Sequence, residues 1–320
     1  MKTVQELHEF YQTKLLADIS ILEKERIKVA NKLFKYGIIV GGIALLLTGV
    51  VFYYQARDLR AYIVPGAVGM AIYGMIYNWQ TKNYKCDFKL KIIQKIVGFI
   101  DPQLKYDPYS CIPQQRFKFS GIFRHSIDKY RGDDLVCGVL GKTKIEFSEI
   151  CAEYETRDNK GNRHTHTIFK GLFFIADFNK DFQGTTYVLP DKVEKIFGGL
   201  GAFLQKADKR RGELVKLEDA VFEKAFVVYA EDQIEARYIL SPSLMARILD
   251  FKKKTNKDIY LSFIKSNVYV AIPYGKDLFE PQIFKTLNDF NPIKEYYEDL
   301  VLAVSIVDDL NLNTRIWTKK

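Results

Sequence analysis

Only four of the 320 residues are cysteine, and Cys86, Cys111, Cys137 and Cys151 form no CxxC pair. Tetrahedral zinc sites draw on closely spaced ligand pairs, so cysteine-held zinc is not expected. Four free thiols in a reducing compartment is the simpler reading. The chain also lacks GxSxG, HExxH and GxxxxGK[ST], which removes the commonest hydrolase, metalloprotease and nucleotide-binding signatures. No internal repeat or low-complexity tract stands out. A basic nucleic-acid-binding domain is missing too. Residues 1–100 carry 14 Lys/Arg against 7 Asp/Glu, whereas residues 101–320 carry 34 against 32. Most of the net charge of +9 therefore surrounds the apolar segments and does not sit on a folded domain.

What the sequence does have is hydrophobic length. Residues 37–54 (GIIVGGIALLLTGVVFYY) and 61–79 (AYIVPGAVGMAIYGMIYNW) carry no charge. Each is near the roughly 20 residues that a helix needs to cross about 30 Å of hydrocarbon. Tyr53, Tyr54, Tyr62, Tyr77 and Trp79 sit at the ends, as interfacial aromatics do. Gly37, Gly41, Gly42 and Gly49 in the first run, with Gly66, Gly69 and Gly74 in the second, would allow close packing of the pair. Thirty-six residues precede the first run, too many for the charged start of a secretory leader, so a cleaved signal is not expected. Five cations flank the pair on each side: Lys24, Arg26, Lys28, Lys32 and Lys35 before it, Lys82, Lys85, Lys89, Lys91 and Lys95 after it. The connecting loop 55–60 holds only Arg57 and Arg60. This asymmetry predicts a multi-pass protein of the inner membrane with both termini cytoplasmic, in contact with membrane lipid.

The arms beyond the spans are also patterned. Val4, Leu7, Tyr11, Leu15, Asp18 and Leu22 step by three or four, giving an apolar stripe with Asp18 as its flaw. Ile92, Ile93, Ile96, Val97 and Ile100 form a matching stripe that Asp101-Pro102 stops. The expected organisation is a helical membrane anchor over residues 1–100 and a cytoplasmic domain over 101–320. That domain reads as α+β, a mixed and largely antiparallel sheet with helices. Residues 143–157 and 163–178 alternate as strands around the turn cluster 158–161. Shorter strands are expected at 135–140, 185–189, 214–217, 225–230, 259–264 and 268–273. Asp191 with Glu194, and Asp232 with Glu235, have capping-box spacing. Ser241-Pro242 and Asn291-Pro292 place a cap before a first-turn proline.

Five segments resemble a family. They are residues 130–138 (YRGDDLVCG), 147–149 (FSE), 168–174 (IFKGLFF), 217–242 (LEDAVFEKAFVVYAEDQIEARYILSP) and 278–281 (LFEP). They are similar to a bacterial family of two-span membrane proteins of unknown function, DUF3137, over nearly the whole chain. The resemblance implies the same fold and location and brings no activity, cofactor or catalytic residue. Such families are sometimes encoded near LemA-type membrane proteins, which implies another membrane protein as partner.

Two residue sets carry candidate chemistry. Along a strand His164 and His166 share a face, and a two-residue turn at Asn159-Lys160 would set Glu155 opposite His164 and Glu153 opposite His166. Those four groups suit a divalent metal. The preferred reading is an exposed hairpin tip with cross-strand charge pairs, and a one-residue bulge at Gly161 would put the glutamates on the other face. In the family string, Glu223 and Arg237 either pair structurally or line a binding site, while Asp232 and Glu235 are accounted for by capping. Gly132-Asp133-Asp134 is similar to the metal-binding carboxylates of polymerases, but a tripeptide recurs by chance, and a tight turn before a strand is the default. Gly198–Gly201 follows a helical stretch instead of a strand, so it reads as a mobile loop in preference to a phosphate cradle. The basic clusters 206–211 (KADKRR) and 252–257 (KKKTNK) read as contacts for anionic lipid heads, or in the latter case as an ordinary helix C-terminus. The expected function is a membrane-held module that binds a protein or ligand, with no cofactor. The alternative is a membrane-bound metal-dependent hydrolase.

Overall fold

The computed structural model describes residues 2–54, 60–191 and 211–314. Most of the connecting loop, Glu194, the 198–201 glycines, all of the 206–211 cluster but Arg211, and Lys320 lie outside the described residues. The chain divides into two compact units, residues 1–96 with 279–296 and residues 97–278 with 297–320.

The first unit is helical. Helix α1 (Val4–Tyr53) passes through a π-helical turn at Tyr11–Leu15, and α2 (Arg60–Phe88) continues through another at Lys89–Ile93 into α3 (Gln94–Ile100). The expected stripes are buried over most of their length, at Leu7, Tyr11, Leu15 and Leu22 on one arm and Ile92, Ile93, Ile96 and Val97 on the other, while Val4 is exposed and Ile100 half-buried. Asp18, the flaw in the first stripe, forms an ion pair with Lys95. Among the described residues α1 alone is long and apolar enough to cross a membrane by length and composition. Its most apolar stretch has a mean hydropathy of 2.1, and none of that stretch is buried. Of the two expected spans only the first meets this measure. In α2 the tyrosines at 62, 73 and 77 and Asn78 dilute Ile63, Val64 and Ile72. The glycine expectation also narrows. A Cβ on Gly69 would lie 3.3 Å from that of Ala44, and one on Gly37 would lie 3.4 Å from the Tyr73 ring, so these two serve α1–α2 packing. Gly41, Gly42, Gly49, Gly66 and Gly74 face open space.

Residues 279–296 are fastened to these helices by buried charge. Glu23 accepts from Arg26 Nε and Nη2 at 2.8 Å each, from Thr286 Oγ1 at 3.0 Å and from the Leu287 N–H at 3.0 Å. Arg26 Nη1 donates to Ile283 O at 2.7 Å. Glu280 pairs with Lys85 at 2.8 Å and Lys89 at 2.9 Å. Tyr11 and His8 pack edge-on against Phe290.

The second unit is built on an antiparallel sheet in the order β1-β2-β3-β4-β9-β8-β5-β7-β6. Its strands are β1 (Lys105–Asp107), β2 (Lys129–Leu140), β3 (Thr143–Arg157), β4 (Arg163–Asp177), β5 (Thr185–Pro190), β6 (Glu213–Leu214), β7 (Phe226–Ala230), β8 (Tyr260–Ile264) and β9 (Asn267–Pro273). The α+β class with an antiparallel sheet therefore holds. Helices α4 (Gln114–Phe119), α5 (Ala220–Ala225), α6 (Gln233–Ile239) and α7 (Pro242–Thr255) connect the strands, and α8 (Phe290–Asp309) follows. Asp219, Asp232 and Ser241 cap α5, α6 and α7 through their side chains. The expected Asn291 cap is displaced, because α8 begins at Phe290 and Asp289 Oδ1 takes the Asn291 N–H at 3.1 Å. The core over one sheet face centres on Phe117, which meets the rings of Phe123, Phe169 and Phe173. Burying a phenylalanine of this kind contributes about 2 to 3 kcal/mol. The four cysteines are free thiols.

Candidate functional site

The hairpin of β3 and β4 forms where the alternation pointed, with a register one residue from that of a two-residue turn. The connection spans residues 158–162: Asp158 takes the N–H groups of Lys160 and Asn162, and Gly161 has φ +83°. His164 therefore lies opposite Thr156 and His166 opposite Tyr154, while Glu155 faces Thr165 and Glu153 faces Thr167. Cross-strand partners share a face, so the imidazoles and the glutamates occupy opposite faces. Glu155 pairs with Lys129 at 2.7 Å and Arg163 at 3.6 Å, and Glu153 pairs with Arg131 at 3.2 Å. The expected four-ligand set is not brought together. The cross-strand charge pairs of the preferred reading are present, running from β2 and β4 to β3.

The charges of residues 217–242 are spent on backbone. Glu223 accepts the Leu217 N–H at 2.9 Å. Arg237 donates to Lys216 O at 3.4 Å and Gln233 Oε1 at 3.2 Å, and among the described residues no ion pair joins it to Glu223. Glu235 receives the N–H groups of Gln183 and Gly184 at 3.0 and 2.9 Å, and Glu231 that of Thr185 at 3.1 Å. These carboxylates fix the entry to β5. The lysines of 252–257 are likewise occupied. Lys252 lies over Phe226, Lys253 pairs with Asp250, Lys254 with Asp309, and Lys257 lies over Tyr274.

Gly132-Asp133-Asp134 is not a turn before a strand but lies within β2, at a bulge that brings its two aspartates to Glu149 of β3. Asp133, Asp134 and Glu149 offer carboxylate oxygens all within 4.8 Å of one another. Asp133 and Glu149 are cross-strand partners, and a bulge between Asp133 and Val136 swings Asp134 inward at φ +59°. Gly132 permits the close approach, since a Cβ there would meet Glu149 O at 2.3 Å. Asp134 is fully buried and receives the Tyr106 hydroxyl, and Glu149 receives the Leu278 N–H. Burial pushes the Glu149 carboxyl up to about 8; the Leu278 hydrogen bond opposes this, and the charges of Asp134, Asp133 and Asp277 add to it. Carboxylates this close and this buried disfavour full ionisation, and a proton on Glu149 or a bound cation would relieve the repulsion. With Glu149 protonated, the Tyr106 hydroxyl donates to Asp134 and the Leu278 N–H to Glu149.

The site and fold define an α+β chain with an antiparallel sheet and one long apolar N-terminal helix. Residues 167–312 match the model of a family described as a protein of unknown function, DUF3137, which supports that family for this part of the chain. The match is narrower than the resemblance read from the sequence. It takes in the 168–174, 217–242 and 278–281 segments and leaves out 130–138 and 147–149. No curated protein matches the chain. Among solved structures, the crystal structure of a mycobacterial trehalose monomycolate transport factor A is 8% identical and covers 66% of this chain and 94% of that one. Its TM-score of 0.32 is too low to support any statement about the present chain.

Proposed function

We infer that this chain is a bacterial, two-span inner-membrane protein whose cytoplasmic sheet unit is a binding or scaffold module with no catalytic role. One observation carries the membrane part. The apolar side chains of both helices point outward: Leu45 and Phe52 of α1 and Met70 of α2 are each 74% exposed, and Met75 of α2 is 71% exposed. An apolar surface of this extent is matched by lipid hydrocarbon and not by water. The exposed band continues from α1 onto α2, which supports a second span despite the lower apolarity of α2. Cation counts on the flanks support cytoplasmic termini.

A role without catalysis is favoured because the His164/His166 and Glu153/Glu155 groups do not converge, while Glu223 and Arg237 are engaged within the chain and do not by themselves mark the binding surface. A metal-dependent hydrolase remains the second reading. The spacing of Asp133, Asp134 and Glu149 favours it, and their protein partners weigh against it. The partner class that fits is another membrane protein, of LemA type by the family resemblance. The topology is tested by labelling engineered cysteines with an impermeant maleimide in intact cells. A cysteine in the 55–60 loop should label, and cysteines at Thr3 and Lys320 should stay protected until the cells are opened. Labelling of the Lys320 position from outside overturns the topology.

A further inference from the structure

The tip of the β3–β4 hairpin has two edges, and among the described residues only one is closed. On the β3 side Asp128 donates its N–H to Glu153 O at 3.0 Å and takes the Glu155 N–H on its carboxylate at 2.7 Å. On the β4 side, pairing with β9 begins only at Gly171, and residues 163–167 are exposed. Within a strand, the N–H and C=O of one residue point to one side and those of the next to the other. Because Glu153 and Glu155 face Asp128, Tyr154 and Thr156 face β4 and exchange hydrogen bonds with His166 and His164. Arg163, Thr165 and Thr167 therefore turn their N–H and C=O groups outward. The register shift beside Glu153 reverses this alternation, which is why Lys170 O reaches outward to Tyr274 N at 3.0 Å. Among the described residues nothing pairs with or covers this edge, and an edge without proline or bulge over residues 163–167 is a template for another strand.

We propose that this edge pairs with the same edge of a second copy, antiparallel about Thr165, and that the joined edges hold a zinc ion between His164 and His166 of both copies. A two-fold axis at Thr165 sets Thr165 against its counterpart and Arg163 against Thr167, so every outward donor meets an outward acceptor. The charges agree. On the face of Glu153, Arg163 keeps its pairing with Glu155 of its own chain at 3.6 Å and falls opposite the uncharged Thr167 of the second copy, so no like charges meet directly across the joined edges.

On the opposite face, His164 of one copy falls beside His166 of the other in a non-hydrogen-bonded pair, with Cα atoms about 4.5 Å apart. Along each strand the two histidines are roughly 7 Å apart. Four imidazoles then converge on one point, a donor set that zinc accepts. Each ring is already oriented for it. His164 Nε2 contacts Asp158 Oδ2 at 3.4 Å, and His166 Nε2 contacts Thr156 Oγ1 at 2.8 Å. With Nε2 donating, Nδ1 carries the free lone pair, the arrangement seen where a carboxylate or hydroxyl steadies a metal-bound imidazole. Tyr154 stacks on the His166 ring at 4.9 Å and on His125 at 5.1 Å, which fixes the ring plane. On that face a single copy offers His164 and His166 with Asp158 and His125 beside them, engaged with His164 and Tyr154, so the second chain's two imidazoles are needed to complete the four-histidine set.

The test uses the full chain in detergent. Under the thiol oxidant diamide, the Thr165→Cys variant should form disulfide-linked dimers well above the parent chain, whose four native cysteines set the background. Zinc titrated into the parent chain should shift the mass measured by light scattering from monomer to dimer, with one ion per two chains. The Thr165→Pro variant removes the outward N–H at the centre of the joined edge and stiffens the chain beside His164; with its melting temperature kept close to the parent's, it should stay monomeric and bind zinc about tenfold or more weakly. The His164→Ala/His166→Ala double variant should lose the zinc. The proposal is overturned if Thr165→Cys crosslinks no better than the parent, or if zinc binds equally to a folded Thr165→Pro chain.

Discussion

Raising the pH from about 5 to about 9 is expected to destabilise the sheet unit, and Glu149→Gln is expected to remove most of that loss. Burial lifts the Glu149 carboxyl from its ordinary 4.5 to about 8, with neighbouring aspartates adding to the rise. Between those values the folded chain holds a proton that the unfolded chain has released, so stability falls as the pH climbs and levels off above about 8. The full shift corresponds to an upper limit on the order of 4 to 5 kcal/mol. Glutamine keeps an oxygen for the Leu278 N–H and cannot ionise, so the slope disappears while the hydrogen bond survives. Thermal melts of parent and variant across that range read the difference directly. Equal slopes for the two chains would show that Glu149 does not hold a proton in the folded chain over this range.

A loss of comparable size is expected in the helical unit from Glu23→Ala. That substitution leaves the Arg26 guanidinium, whose side chain is 12% exposed, without its counter-charge and strips the Leu287 N–H of its acceptor. Removing one partner of a buried pair costs about 3 to 5 kcal/mol, most of it the penalty of the charge left behind. Glu23→Gln should lose less, because an amide oxygen still accepts from Leu287. Hydrogen exchange should then quicken over residues 279–296 while the amides of β3 and β4 keep their protection. Unchanged exchange in 279–296 would mean that the Glu23 network does not hold this segment.

How much of this was legible in the sequence depends on the distance over which each feature is encoded. The apolar run at 37–54 needed only a count of uncharged residues, and it reappears as the exposed stretch of α1. The bounds of β3 and β4 followed from alternation and a turn cluster. Their register did not, because a five-residue connection with Asp158 folded back on it looks, as sequence, much like the two-residue turn inside it. The one-residue difference moved both glutamates to the face away from His164 and His166. The spans were read as equal because neither carries charge, although the tyrosines of the second lower its apolarity. Asp133, Asp134 and Glu149 could not be joined from the sequence, since a strand pairing and a bulge bring them together. The attachment of residues 279–296 to α1 and α2 was equally hidden, resting on the contacts of Glu23 with Thr286 and Leu287 across most of the chain.

The central claim is that α1 and α2 lie in hydrocarbon and hold the sheet unit at a membrane. Alkaline carbonate extraction of membranes from cells expressing the full chain tests it most directly, because high pH strips peripheral proteins and leaves spanning helices in place. The account predicts that the chain stays in the membrane pellet and is released only by detergent. Recovery of the folded chain in the carbonate supernatant would contradict it.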